Sequence, residues 1–94
     1  MAQTTILAAA QTAATSTNVT VAAGSVATIG IFAAAAIPSL VEIDVRQVTP
    51  SGDNFVARLT HANQTMVLSG PGTFRAYRRN ISAGGVNVGV FADA

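Results

Sequence analysis

Val67-Leu68-Ser69-Gly70-Pro71-Gly72-Thr73-Phe74-Arg75-Ala76-Tyr77-Arg78-Arg79 joins a short apolar run to an alternating one through Gly-Pro-Gly. Pro71 suits the second position of a type II turn, and Gly72 accepts the positive φ needed at the third. Past the turn, Phe74 and Ala76 point one way and Thr73, Arg75 and Tyr77 the other, because strand side chains alternate. The stretch predicts a two-strand corner, and the flanking sequence repeats that pattern.

Upstream, residues 40–49 form the strongest strand signal, with Val41, Ile43 and Val45 inward and Glu42, Asp44 and Arg46 outward. Thr49-Pro50-Ser51-Gly52 fits a type I turn with proline second and glycine fourth. Residues 54–60 return, with Phe55, Ala57 and Leu59 assigned inward. Residues 18–22 and 26–32, separated by Ala23-Gly24-Ser25, read as a hairpin. Residues 33–36 are four alanines ending at Ile37-Pro38, and Pro38 limits any helix there to a single turn. Residues 3–10 mix a strand-favouring Thr-Thr-Ile with helix-favouring alanines and are expected as an edge strand. Residues 11–17 are a small-residue linker. Downstream, residues 80–85 are a polar, Gly-rich loop, and residues 86–92 close the chain with Val86, Val88 and Val90 inward.

Eight short strands at roughly ten-residue spacing predict an all-β fold, a small antiparallel β-sandwich or barrel-like sandwich. The whole length, 1–94, reads as one domain, with 1–17 as an N-terminal arm or edge strand. No internal repeat stands out. The expected core is Val19, Val21, Val41, Ile43, Val45, Phe55, Leu59, Phe74, Val86, Val88 and Val90.

Composition narrows the function classes. The chain has no cysteine, so disulfide and thiolate chemistry are excluded. Its five basic residues are all arginine and its formal net charge is +1, which gives no long-range field for nucleic acid or membrane. No window supplies the ~20 apolar residues of a membrane helix, and the start lacks the positive region of a signal peptide. Synthesis in the cytoplasm is therefore expected.

Candidate chemistry is sparse. His61 is the single histidine, in an expected turn without a cysteine or carboxylate at metal-ligand spacing. Glu42 and Asp44 share a strand face about 7 Å apart. That spacing suits a cation or a glycosidase pair, but the solvated face of an amphipathic strand explains it more simply. No serine lies in a Gly-x-Ser-x-Gly elbow, and neither Gly-rich stretch has a phosphate loop's lysine. No catalytic residue, metal site or cofactor is expected. Arg75, Arg79 and Tyr77 suit the rim of a protein contact, since arginine and tyrosine are enriched at interfaces; alternation puts Arg78 on the opposite face. The sequons at Asn18, Asn63 and Asn80 fit chance in a chain rich in Asn, Ser and Thr.

Four stretches together resemble a known group: Thr5-Ile6-Leu7-Ala8-Ala9, residues 18–25 (Asn-Val-Thr-Val-Ala-Ala-Gly-Ser), residues 68–75 (Leu-Ser-Gly-Pro-Gly-Thr-Phe-Arg) and residues 86–91 (Val-Asn-Val-Gly-Val-Phe). They are similar to short virion proteins of tailed bacteriophages, the small β-sandwich decoration, cement or head-accessory proteins. The resemblance spans nearly the whole chain and implies no catalytic motif. It implies a protein that binds the major capsid protein on the outside of an assembled shell as a homo-oligomer, dimer or trimer, and stabilises the particle. Nucleic acid and membrane are not expected partners. The rival reading is a receptor- or carbohydrate-binding module of a tail or fibre. Candidate contact residues are Ile6, Leu7, Ala33, Ala34, Ala35, Ile37, Arg75, Tyr77 and Arg79. Small side chains allow close backbone approach and lose little rotamer entropy on burial. Deleting residues 2–12 is then expected to weaken shell binding and leave the domain folded.

Overall fold

The computed structural model describes residues 3–93. Its strands are β1 (Gln3–Ala10), β2 (Ala14–Thr15), β3 (Val19–Val21), β4 (Val26–Ala33), β5 (Glu42–Thr49), β6 (Gly52–Thr60), β7 (Thr65–Ser69), β8 (Gly72–Arg78) and β9 (Val88–Asp93). They form two antiparallel sheets, one ordered β1-β9-β4-β7 and the other β2-β8-β5-β6, with β3 also on β8. Among the described residues the one helical element is a 3-10 turn, Ser82–Gly84. The all-β expectation holds, with Ala14–Thr15 as a ninth strand.

Both inner faces meet in one core. Ile29, Val41, Ile43, Val45, Leu59, Val88 and Val90 have no exposed surface, and Ile6, Ile31, Leu68, Ala76, Ile81 and Ala92 complete the packing. Each is the apolar member of an alternating pair, apart from Ile81, which anchors the loop before the 3-10 turn and donates its N–H to Gln11 O. Val86 precedes β9 and is half-buried against the core.

Four expectations fail on topology. Residues 18–32 are not a hairpin: β3 lies in one sheet and β4 in the other, so the turn after Val21 crosses the sandwich. The Gly-Pro-Gly corner likewise carries the chain from β7 across to β8. Its Gly70–Pro71 peptide is cis and Gly72 has no positive φ, so the type II geometry is wrong. The hairpin that does form locally is β5–β6, closing at Thr49↔Gly52 as the Pro50-Ser51 turn predicts.

Phe55 is the third correction. The β5–β6 register runs Val45↔Ala57 and then Arg46↔Phe55, so Val56 is an extra residue on β6. A bulge of this kind reverses which face later residues occupy. Phe55 is turned out of the core and is 58% exposed. Truncating the fully buried Ile43 to alanine should therefore cost about 2–5 kcal/mol, whereas Phe55→Ala should stay within about 0.5 kcal/mol of the parent. Urea midpoints measure both; equal losses at the two sites would contradict the bulged register.

The fourth concerns residues 1–17, whose described part is not a detachable arm. β1 is the edge strand expected for residues 3–10, paired with β9 from Gln3↔Asp93 to Ala10↔Val88, and Ile6 lies in the core. The linker is ordered too. Ser16 donates its N–H to Ala76 O at 2.8 Å and accepts the Ala76 N–H on its hydroxyl at 2.8 Å, continuing the ladder between β2 and β3. Removing residues 2–12 would therefore strip a strand from a sheet, so the truncated chain is expected to lose its fold together with any shell binding.

Candidate interaction surfaces

The two outer faces differ in chemistry. On the β2-β8-β5-β6 sheet, cross-strand register places Glu42 beside Thr60, Asp44 between Arg58 and Tyr77, and Arg46 between Phe55 and Arg75. Arg58 Nε donates to Asp44 Oδ1 at 3.0 Å, and Arg46 Nη2 lies 3.4 Å and Arg79 Nη2 3.8 Å from Asp44 Oδ2. Arg79 also reaches Glu42 at 3.4 Å, and Arg75 Nε donates to Asp53 Oδ2 at 2.7 Å. The Arg46 guanidinium lies 4.8 Å from the centre of the Tyr77 ring, and that of Arg58 lies 5.5 Å from the Phe55 ring.

Asp44 is thus not on a solvated face. It is 4% exposed, covered by the arginines that neutralise it. The hydrogen bond that Arg75 donates to Asp53 raises the Arg75 pKa above its ordinary value. Each arginine of this face already has a carboxylate within ion-pair distance, so the surface is internally compensated. Four arginines and three carboxylates leave it one positive charge. Such a plate offers little free charge to an anion.

The outer face of the β1-β9-β4-β7 sheet is built differently. Its rows are Gln3, Asp93, Thr28 and Val67, then Thr5, Phe91, Gly30 and Thr65, with Phe32 beside Gly89 beyond. Its one charged side chain is Asp93, at the end of the sheet. Val26 and Val67 are 56% and 62% exposed. Phe91 lies across from Gly30 and Phe32 across from Gly89. A β-carbon on Gly30 would stand 2.6 Å from the Phe91 ring, and one on Gly89 2.5 Å from the Phe32 ring. The distal ends of the two rings, Cε1 and Cζ, therefore lie over the glycine positions, an arrangement that shields sheet glycines. Gln3, Thr5, Phe32 and Phe91 line a shallow depression of about 340 Å³.

These two contacts come from one short pattern used twice, Ile29-Gly30-Ile31-Phe32 and Val88-Gly89-Val90-Phe91. Antiparallel pairing sets each phenylalanine on the other copy's glycine. Sequence reading passed over this repeat; the signal was present in the matching apolar-Gly-apolar-Phe order.

The expected contact residues are scattered. Ile6 is buried and Leu7 half-buried in β1; Ala33 and Ile37 are half-buried, the latter packed against the core, and Ala34 and Ala35 are exposed in the β4–β5 connection. Arg75, Tyr77 and Arg79 lie together on the ionic face. His61 is exposed in a turn, where its carbonyl accepts a hydrogen bond from Gln64. Among the described residues no three histidine or acidic side chains converge as metal ligands, and no helix is long and apolar enough to cross a membrane. The chain matches no protein-family model, no curated protein and no solved structure.

Proposed function

We propose that this chain is a structural virion protein, without enzymatic activity, that binds the major capsid protein on the outside of an assembled bacteriophage shell and reinforces it. The observation that carries the reading is the contrast between the faces. Seven of the nine charged side chains form the compensated plate on one sheet, while the central rows of the other present threonine, valine, phenylalanine and glycine. A face whose single charged side chain, Asp93, sits at the end of the sheet can be covered by another protein with little desolvation cost. Repetition over a symmetric lattice turns modest single contacts into strong overall attachment.

The test is co-sedimentation with shells assembled without this protein. Thr5→Arg, an exposed change on the edge strand of this face beside Phe91, should abolish binding and leave the melting temperature unchanged. Arg79→Ala should bind normally, and binding should persist at high salt, since screening acts on exposed charge. Retained binding by Thr5→Arg, or release by salt, would refute the proposal.

A second reading has its own observation. Phe32 and Phe91 each reach over a glycine with the distal end of the ring and line one depression with Gln3 and Thr5. An aromatic floor with neutral polar groups at its rim suits the apolar face of a sugar ring, as in a receptor- or carbohydrate-binding module. Titration with neutral oligosaccharides, read by backbone amide shifts of β1, β4 and β9, separates this reading from the first.

A further inference from the structure

We propose that two copies of this chain pair through β7, antiparallel about a two-fold axis at Val67, joining their β1-β9-β4-β7 sheets into one eight-stranded sheet. Among the described residues β7 is an outer strand that pairs with β4 alone. The ladder between them is pinned at both ends: Ile31 N–H donates to Gln64 O at 2.9 Å, and Gly70 N–H to Ser25 O at 3.0 Å. Because hydrogen-bonded and non-hydrogen-bonded pairs alternate in an antiparallel ladder, Met66 and Leu68 bond to β4. The N–H and C=O groups of Thr65, Val67 and Ser69 must then point away from the sheet, toward the open edge.

Those three residues match themselves under a two-fold axis. Centred on Val67, the pairing sets Val67 against Val67 of the second copy and Thr65 against its Ser69. All three outward N–H groups of each strand then find carbonyl acceptors.

The other edges carry the features that discourage such pairing. β1 has two register breaks, between Thr5 and Leu7 and between Leu7 and Ala10, and its Ile6 carbonyl is already occupied by Thr17 N–H at 3.1 Å. β6 carries the Val56 bulge together with Asp53 and Arg58. β2 and β3 are two and three residues long. Bulges, charges and shortness are the usual defences of an open edge. β7 has regular register, no charge and no proline, and its outward Val67 adjoins exposed Val26. An isologous contact closes as a dimer and cannot propagate into a fibre. The pairing does not depend on the shell-binding reading, because it is measured on the purified chain alone.

Sedimentation velocity of the intact protein from ten to several hundred micromolar is the first measurement, and a concentration-dependent dimer is expected. Val67→Lys sets two like charges directly opposite one another and should weaken the dimer at least about tenfold. The side chain is exposed, so the melting temperature of the monomer should not change. As the chain has no cysteine, Val67→Cys supplies a single thiol, which a short bifunctional maleimide should cross-link efficiently; Asn54→Cys, on the β6 edge, should not cross-link. A monomer at all concentrations would overturn the proposal. So would a dimer that survives Val67→Lys, or one cross-linked through Asn54→Cys.

Discussion

Arg78→Met is expected to destabilise the domain by about 3 kcal/mol or more, the sum of several orphaned carbonyls at roughly 1–3 kcal/mol each. Arg78 projects from β8 into the interior and is 2% exposed. Its Nε donates to Thr12 O at 2.7 Å, and its Nη1 to Ala8 O at 2.9 Å and Val88 O at 2.7 Å. Burial pushes its pKa down from the ordinary value, yet an arginine stays cationic at any accessible pH. No described carboxylate pairs with it. The carbonyls replace one, and two of them belong to the opposite sheet, in β1 and β9.

The β1 bulge explains the geometry. Three steps on β1, from Leu7 to Ala10, match two on β9, from Val90 to Val88. The surplus residue interrupts the ladder beside Ala8, and the guanidinium fills the gap. Two effects oppose each other in Arg78→Met: relief of a buried cation, and loss of three charge-assisted bonds. The second should win, because backbone acceptors cannot be removed along with their donor, whereas a salt-bridge partner can. Arg78→Lys keeps the charge but not the fork and should fall between parent and methionine variant. Urea midpoints give the order; a methionine variant within 1 kcal/mol of the parent would contradict this account.

Gly70→Ala should have a comparable effect from a different cause. A β-carbon there would lie 1.9 Å from Ala22 O, 2.6 Å from Ala22 C and 2.8 Å from Val21 O. All three are backbone atoms, so no side chain can rotate away. The β3–β4 crossing would have to move off the β7–β8 corner, breaking the Gly70–Ser25 bond. A loss of about 3 kcal/mol or more is expected, against about 0.5 kcal/mol or less for Ser69→Ala next to it, whose side chain is exposed. Thermal melts decide the matter: a Gly70→Ala protein melting within two or three degrees of the parent would show that the crossings yield.

Period-two alternation carried the fold class and most of the core, since Val19, Val21, Val41, Ile43, Val45, Leu59, Phe74, Val88 and Val90 are buried as it requires. It failed at Phe55 because a one-residue bulge leaves no mark in composition while reversing the faces beyond it. Turn chemistry located the breaks at residues 23–25 and 70–72 but not their destinations. A tight break between strands serves a hairpin or a sheet crossing equally well, and distant packing chooses. The parity of Arg78 beside Phe74 and Ala76 was visible, but nothing local says that carbonyls from residues 8, 12 and 88 converge on it. The candidate surface suffered most. Phe32 and Phe91 acquire their meaning from glycines on each other's strand, 57 positions away for Phe32 and Gly89 and 61 for Phe91 and Gly30.

The place of β9 between β1 and β4 bears on how the molecule comes together. β1 and β4 never touch as neighbours; each needs Val88–Asp93 as its ladder partner. Until that last strand inserts, the earlier strands of its sheet have no continuous scaffold, and Arg78 lacks the Val88 carbonyl. Completion of this sheet therefore waits on contacts between distant parts of the chain, and closing such long loops places topologies of this kind in the millisecond-to-second range.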